Sequence, residues 1–285
     1  MKDIKIVVAH HKKSLLIKNE IYLPIHVGKD VSQFQLEIEG DNIGDNISFK
    51  NPIYCEMTAI YWAWKNLKAD YIGLCHYRRY FTFIKPTLLK RIERFVKFYL
   101  IRCVGNIIHP GINYYKYNQV ITDDKCYFEK NALEFSRQIE IVINKKEYDA
   151  IVPQAFYLSC CNVRQFFERL GHKHISLVCQ IVLELKPDFY PYLKKALDSD
   201  KLYAANMFIM KTNLFEDYCE TIFPILQEHE KRTLEQNWCI DLINEKAYSR
   251  LSGYFAEFLT SAYILKLRAE NKRILFVNTM FCSEL

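Results

Sequence analysis

The chain has 285 residues, half of them hydrophobic and a quarter charged. That suits one large α/β domain or two small ones and excludes wholesale disorder. Its net charge of +6 is mild and fits an anionic ligand or an anionic membrane surface. No block of like charge reads as a nucleic-acid tail, and no nucleic-acid partner is expected. The 10 cysteines include no CxxC pair, only the adjacent Cys160 and Cys161. No zinc pattern is present, and buried, reduced thiols of a cytosolic protein are expected.

The opening "MKDIKIVVAHH" reads as a strand over 4–10 that ends at His10, His11 and Lys12, since its apolar run is too short for a signal peptide. Residues 39–52 are a loop in which Asp41 and Asp45 are turn formers or ligands for a ribose, a sugar hydroxyl or a metal. Asn51 and Pro52 mark the N-cap and first position of a helix, "IYCEMTAIYWAWKNLK". Glu56 is the only charge in that helix before Lys65. A carboxylate in an apolar setting is costly unless paired, so Glu56 is either a structural partner or a site carboxylate.

"YIGLC" (71–75) follows as a continuous apolar run, the mark of a strand covered on both faces in a parallel sheet. Ligands bind beyond the carboxyl ends of such strands, where His76, Tyr77, Arg78 and Arg79 lie. Two adjacent guanidinium groups suit a diphosphate or, more plainly, surface ion pairs.

Residues 84–125 read as an excursion from the sheet. Within it, 85–108 carries too many basic residues to span a membrane (Lys90, Arg91, Arg94, Lys97, Arg102). Leu88, Leu89, Ile92, Phe95, Val96 and Tyr99 nonetheless keep helical spacing. The segment is an interfacial amphipathic helix or a helix packed on the domain with a solvated basic face. Further strands are expected over 146–153 and 202–211, and helices over 156–185 (broken at Gly171), 213–232 and 249–268. On the last helix, Arg250, Gly253, Tyr254, Glu257 and Ser261 share a face. Glu257 there faces a polar pocket or pairs with Arg250. "DSD" (198–200) is read as a turn, and P-loop, GxGxxG and GxSxG signatures are missing.

"VVAHHK" (7–12), "GDNISFKNPIYCEMTAIYWAWKN" (44–66), "YIGLCHYRRYF" (71–81), "YDAIVP" (148–153), "NMFIMKTNLFEDYCETIFPIL" (206–226) and "RLSGYFAEFL" (250–259) occur in order along most of the chain. Together they resemble a bacterial family of glycosyltransferases from capsule and O-antigen gene clusters, formerly catalogued as a domain of unknown function. The resemblance implies one GT-A-like domain over 1–285, with a mostly parallel central sheet flanked by helices and 84–125 as an amphipathic helical insertion. It also implies transfer of a hexose, such as galactose or galactofuranose, from a UDP-sugar to a lipid-linked oligosaccharide. The competing reading is a non-catalytic sugar- or nucleotide-binding module of a polysaccharide assembly complex.

Carried over to this sequence, the resemblance assigns Glu257 and Asp45 to catalysis. It gives Asn46, Ser48, His76, Tyr77, Arg78 and Arg79 to the donor and Asn206 to the acceptor; His11 and Glu56 are added to the donor site, and His174 to the acceptor site, apart from the resemblance. Phe258 stands where relatives carry an arginine after the helix glutamate. Mg2+ or Mn2+ bound by His76 and Asp45 would neutralise the departing diphosphate, or the two arginines would do so without a metal. The protein is expected at the cytoplasmic face of the bacterial inner membrane, touching anionic lipid through 85–108.

Overall fold

The computed structural model describes residues 1–108, 114–115, 119–159, 161–236, 238 and 250–284, with backbone alone at 101, 104–108 and 114–115. Cys160 therefore lies outside the described residues. In chain order the first half comprises β1 (Ile4–His10), β2 (Tyr22–His26), α1 (Asn51–Tyr54), α2 (Met57–Asn66), β3 (Tyr71–His76), β4 (Arg79–Thr82), α3 (Leu88–Ile108), β5 (Tyr114–Tyr115), β6 (Gln119–Thr122) and α4 (Lys125–Lys146). The second half comprises β7 (Ala150–Pro153), β8 (Phe156–Leu158), α5 (Val163–Phe167), α6 (His172–Leu185), α7 (Tyr190–Leu197), β9 (Lys201–Leu202), β10 (Phe208–Lys211), α8 (Thr212–Glu235), α9 (Leu251–Ala269) and β11 (Ile274–Cys282).

The apolar runs become strands covered on both faces. In β1, Ile6 and Val8 join one core cluster while Val7 and Ala9 join the other. The same alternation separates Ile72 and Leu74 from Tyr71 and Cys75 in β3. A strand sends successive side chains to opposite faces, so only a continuous apolar run can fill two cores at once. α2, α6, α8 and α9 cover one face, and Phe128, Ala132, Phe135 and Ile139 of α4 cover the other.

The sheet is mixed rather than mostly parallel. β1 pairs in parallel with β2 and β3, and β11 with β6 and β7. β10 runs antiparallel to both β3 and β7, and β4 antiparallel to β11 and β3. Two local causes account for the departure. A two-residue turn at Tyr77–Arg78 reverses the chain from β3 into β4, which leaves only antiparallel pairing. Gly73 lets β10 approach β3, because a Cβ there would lie 2.6 Å from the Phe208 carbonyl oxygen. The circuit β3–β10–β7–β11–β4 then closes on itself like a barrel. A small second sheet joins β5, β8 and β9. The 84–125 excursion carries the expected helix α3 but returns to the main sheet through β6.

Two expected elements are broken, and both breaks matter below. The helix read from Ile53 onward stops at Cys55, whose φ of 52° is left-handed, and resumes at Met57. The strand read over 202–211 contains a kink in which Ala205 and Asn206 have φ of 68° and 50°.

Candidate active site

A cleft of about 640 Å³ opens at the carboxyl ends of β1 and β3. It collects His11, Glu56, His76, Tyr77, Arg78, Arg79 and Glu257, seven of the residues singled out from sequence. Asn51, Cys55, Arg250 and Phe281 also line it. Asn51 and Cys55 were read only as helix formers, Arg250 only as a helix partner, and Phe281 not at all.

The arginines are set by the β3–β4 hairpin and by β11. Arg78 and Arg79 lie over the Phe281 ring, at 4.7 and 5.6 Å from its centroid. Arg78 also donates from Nε to the Cys282 carbonyl at 3.2 Å. Stacking on an aromatic face holds a planar guanidinium while leaving its edge available to an anion. His11 packs edge-on to Tyr77, with ring centroids 5.0 Å apart, at the end of β1.

Ala205 ties the acid and a histidine together. Its N–H donates to Glu257 Oε1 at 2.9 Å, and its carbonyl accepts from His76 Nε2 at 2.7 Å. Because a carbonyl only accepts, His76 must carry its proton on Nε2. The left-handed backbone at Ala205 presents both groups to the cleft; such strain at a non-glycine residue is a feature of functional sites. Burial holds His76 below the ordinary histidine value, and the Arg79 charge acts in the same direction. His11 is lowered too, first by burial and then by Lys12.

Glu257 is the most perturbed carboxylate of the cleft. Burial, and then the neighbouring Glu56, push it up to about 7, against the Ala205 N–H, Arg79 and Arg250. The close passage of α9 creates this pairing of acids. A Cβ on Gly253 would lie 3.0 Å from Cys55 Cβ, so glycine lets α9 seat against the α1–α2 break. Glu56 stands at the N-terminal boundary of α2 at that break, with its side chain making no bond to the helix end. A carboxylate with such a value takes up and returns a proton near neutral pH.

Five sequence-derived residues fall outside the cleft lining. Asp45 sits on an exposed loop beyond α2, where its backbone N–H donates to Asn66 Oδ1 and its carboxylate accepts from Tyr61. Asn46 closes a local turn to Gly44 and Ser48. Ser48 is buried and donates to Asp41 at 2.5 Å, and Asp41 in turn accepts the Gly28 N–H at 2.9 Å. The "GDNIS" block thus shapes a loop, as short polar side chains do in turns. Asn206 is buried behind the cleft. It donates to Glu56 Oε1 at 2.9 Å and to the Gly253 carbonyl at 3.2 Å, and accepts from Thr260. His174 is buried against His229 at 3.1 Å and faces the Trp238 ring.

A metal held by His76 and Asp45 does not fit this arrangement. His76 lines the cleft, whereas Asp45 is exposed on a loop off the cleft lining, so the two are not brought together. Among the described residues no three His, Cys, Asp or Glu side chains are grouped to hold an ion.

A mixed α/β sheet flanked by helices, with a cleft at its strand ends that gathers three arginines and two carboxylates, has the form of an α/β ligand site. The chain belongs to the family described as domain of unknown function DUF4422, whose model matches residues 5–269. Among solved structures it is similar to the WbbM bifunctional glycosyltransferase in its apo form, at 29% identity and a TM-score of 0.76. The similarity covers 99% of this chain and 45% of that one, so the chain spans less than half of its structural relative. Comparison with curated proteins gives no match.

Proposed function

We propose that the protein is a glycosyltransferase that moves a hexose, galactose or galactofuranose, from a UDP-sugar to a lipid-linked oligosaccharide of a capsule or O-antigen. The fold likeness to a glycosyltransferase supports the reaction class. The observation that carries the reading is Glu257, half-buried, pushed up to about 7 and sharing one cleft with Arg78, Arg79 and Arg250. In this reading the sheet is that of a single GT-A-like domain and the cleft is the donor site.

The arginines bind the diphosphate and offset the charge that builds on it as the sugar leaves. Glu257, deprotonated, accepts the proton of the acceptor hydroxyl as that oxygen attacks the anomeric carbon. The Ala205 N–H fixes the carboxylate's orientation, and Asn206 holds Glu56 beside it. His11 and Tyr77 form the opposite wall against which the donor lies. Such a protein works at the cytoplasmic face of the bacterial inner membrane, where lipid-linked acceptors are extended.

The test is incubation of the protein with a panel of nucleotide sugars and a polyprenyl-linked acceptor. Acceptor-dependent release of UDP from one donor is expected. Tight nucleotide binding with no release from any donor would instead indicate a binding module.

A further inference from the structure

Surface helices normally turn their apolar stripe inward, and α3 is mounted the other way round. At about 100° per residue, Leu88, Leu89, Ile92, Phe95, Tyr99 and Leu100 fill an arc of about 140°. All six are open to solvent, from 48% for Tyr99 to 80% for Leu89. The strip that seats the helix on the protein lies on the opposite side, where Phe98 is 5% exposed and Arg94 donates to the Gln119 carbonyl at 2.8 Å. An apolar hollow of about 500 Å³ between α3 and Tyr157 of β8 extends the exposed surface. Contiguous apolar patches of this kind mark interaction sites.

The charges around the arc select the partner. Arg91 and Arg102 border one edge, and Lys90 and Lys97 lie beyond the other, all exposed. Glu93 is the one acidic residue of α3. A second copy of this face would bring like charges together, which disfavours self-association. A surface with an apolar interior and anionic headgroups matches both features.

We propose that α3 docks the protein on an anionic lipid surface, with Leu88, Leu89, Ile92, Phe95, Tyr99 and Leu100 in the acyl boundary and the basic residues at the headgroups. No helix among the described residues is long and apolar enough to cross a membrane, so this contact would be peripheral and reversible. It stands independently of the reaction proposed for the cleft. The two are nonetheless near one another. α3 begins six residues after Thr82 ends β4, and β4 starts at the cleft residue Arg79, so the linker reaches at most about 20 Å.

The experiment is flotation of the full chain with phosphatidylglycerol-containing vesicles and with phosphatidylcholine vesicles. The protein should float with the anionic vesicles at low salt and release at high salt. Ile92→Glu combined with Phe95→Glu should cut partitioning by at least about a hundredfold, since each exposed apolar side chain loses its burial. Lys90→Gln and Lys97→Gln should each weaken it about fivefold. The thermal midpoints of these variants should stay at the wild-type value, because the altered side chains are exposed. Three outcomes would overturn the proposal. One is failure of the wild type to float at low salt, and another is flotation of the double-glutamate variant at wild-type level. The third is a wild-type dimer that the double-glutamate change dissociates while neither protein floats, which would give the face to a second copy.

Discussion

α9 and α3 are both long and rich in apolar residues, yet they stand in opposite relations to the protein. α9 is buried nearly all round, with Phe255, Phe258, Leu259 and Tyr263 at 0% exposure, and its one central acid, Glu257, is half-buried at the edge of the cleft. α3 leaves Leu88, Leu89, Ile92, Phe95, Tyr99 and Leu100 in solvent. The difference teaches that apolar content alone does not place a helix. Where an apolar helix is enclosed, it becomes a device for perturbing the charge it carries. Where it is left open, it becomes a surface.

The sharpest way to break the comparison is to remove the enclosed charge. Glu257→Gln should lower turnover by about 10²–10⁴-fold, the usual contribution of a positioned base. Nucleotide affinity, measured by calorimetry, should stay at the wild-type level; lost affinity would move Glu257 to donor binding. In the wild type the rate should climb as pH rises through about 7, because only the deprotonated carboxylate accepts a proton.

Arg78→Ala and Arg79→Ala come next. Each should cost about 2–4 kcal/mol in kcat/KM, the range for a lost charged contact to a transition state. Lysine at either position should recover little, since it lacks the planar fork that lies over Phe281. Unchanged kinetics in both alanine variants would remove the arginines from the donor site.

A stability measurement sharpens the same point without any substrate. Folding raises Glu257 from 4.5 to about 7, so the folded state holds this proton more tightly than the unfolded chain does. The contribution is fully present below pH 4.5 and is lost as pH climbs through about 7. Glutamine mimics the protonated acid at every pH. Glu257→Gln should therefore be more stable than wild type by about 3 kcal/mol at pH 8 and close to neutral at pH 4, by urea titration. A cleft carboxylate whose charge costs the fold stability is what a functional site would be expected to show. The smallest effect belongs to the open helix: Leu89→Gln should change stability by less than about 0.5 kcal/mol.

Much of this site was legible because it rests on continuous apolar runs. "YIGLC" announces a doubly covered strand, and the residues after such a strand fall at the ligand edge, so His76 through Arg79 could be placed. Glu56 stood out as the lone charge of an apolar helix, and Glu257 through the face it shares with Arg250, Gly253, Tyr254 and Ser261 and through the family resemblance. What could not be read lies in backbone geometry and distant pairing. Nothing in "YAANM" signals that Ala205 adopts a left-handed φ of 68° and bridges His76 to Glu257. The helix break at Cys55 is equally silent, because a cysteine carries none of glycine's conformational advertisement. Gly73 did offer a clue: a glycine inside a strand often marks close backbone approach, and here it admits the antiparallel β10. The "GDNIS" block was ambiguous because Asp, Asn and Ser serve turns and ligands alike. In the structure Asn46 bonds the Gly44 carbonyl and the Ser48 N–H, Ser48 bonds Asp41, and Asp45 accepts from Tyr61.

The hairpin that presents Arg78 and Arg79 is completed by a strand synthesised long after it. β11 pairs with β4 and supplies both Phe281 and the Cys282 carbonyl that holds Arg78, 204 positions away along the chain. At about 5–20 residues per second, the ribosome delivers that strand about 10–40 s after the arginines. During this interval β4 can pair only with β3, and the edge that later takes β11 stays open. The arginine pocket therefore waits for that strand. It forms only after residues 274–282 emerge, and the unpaired β4 edge is where a chaperone would have most to protect.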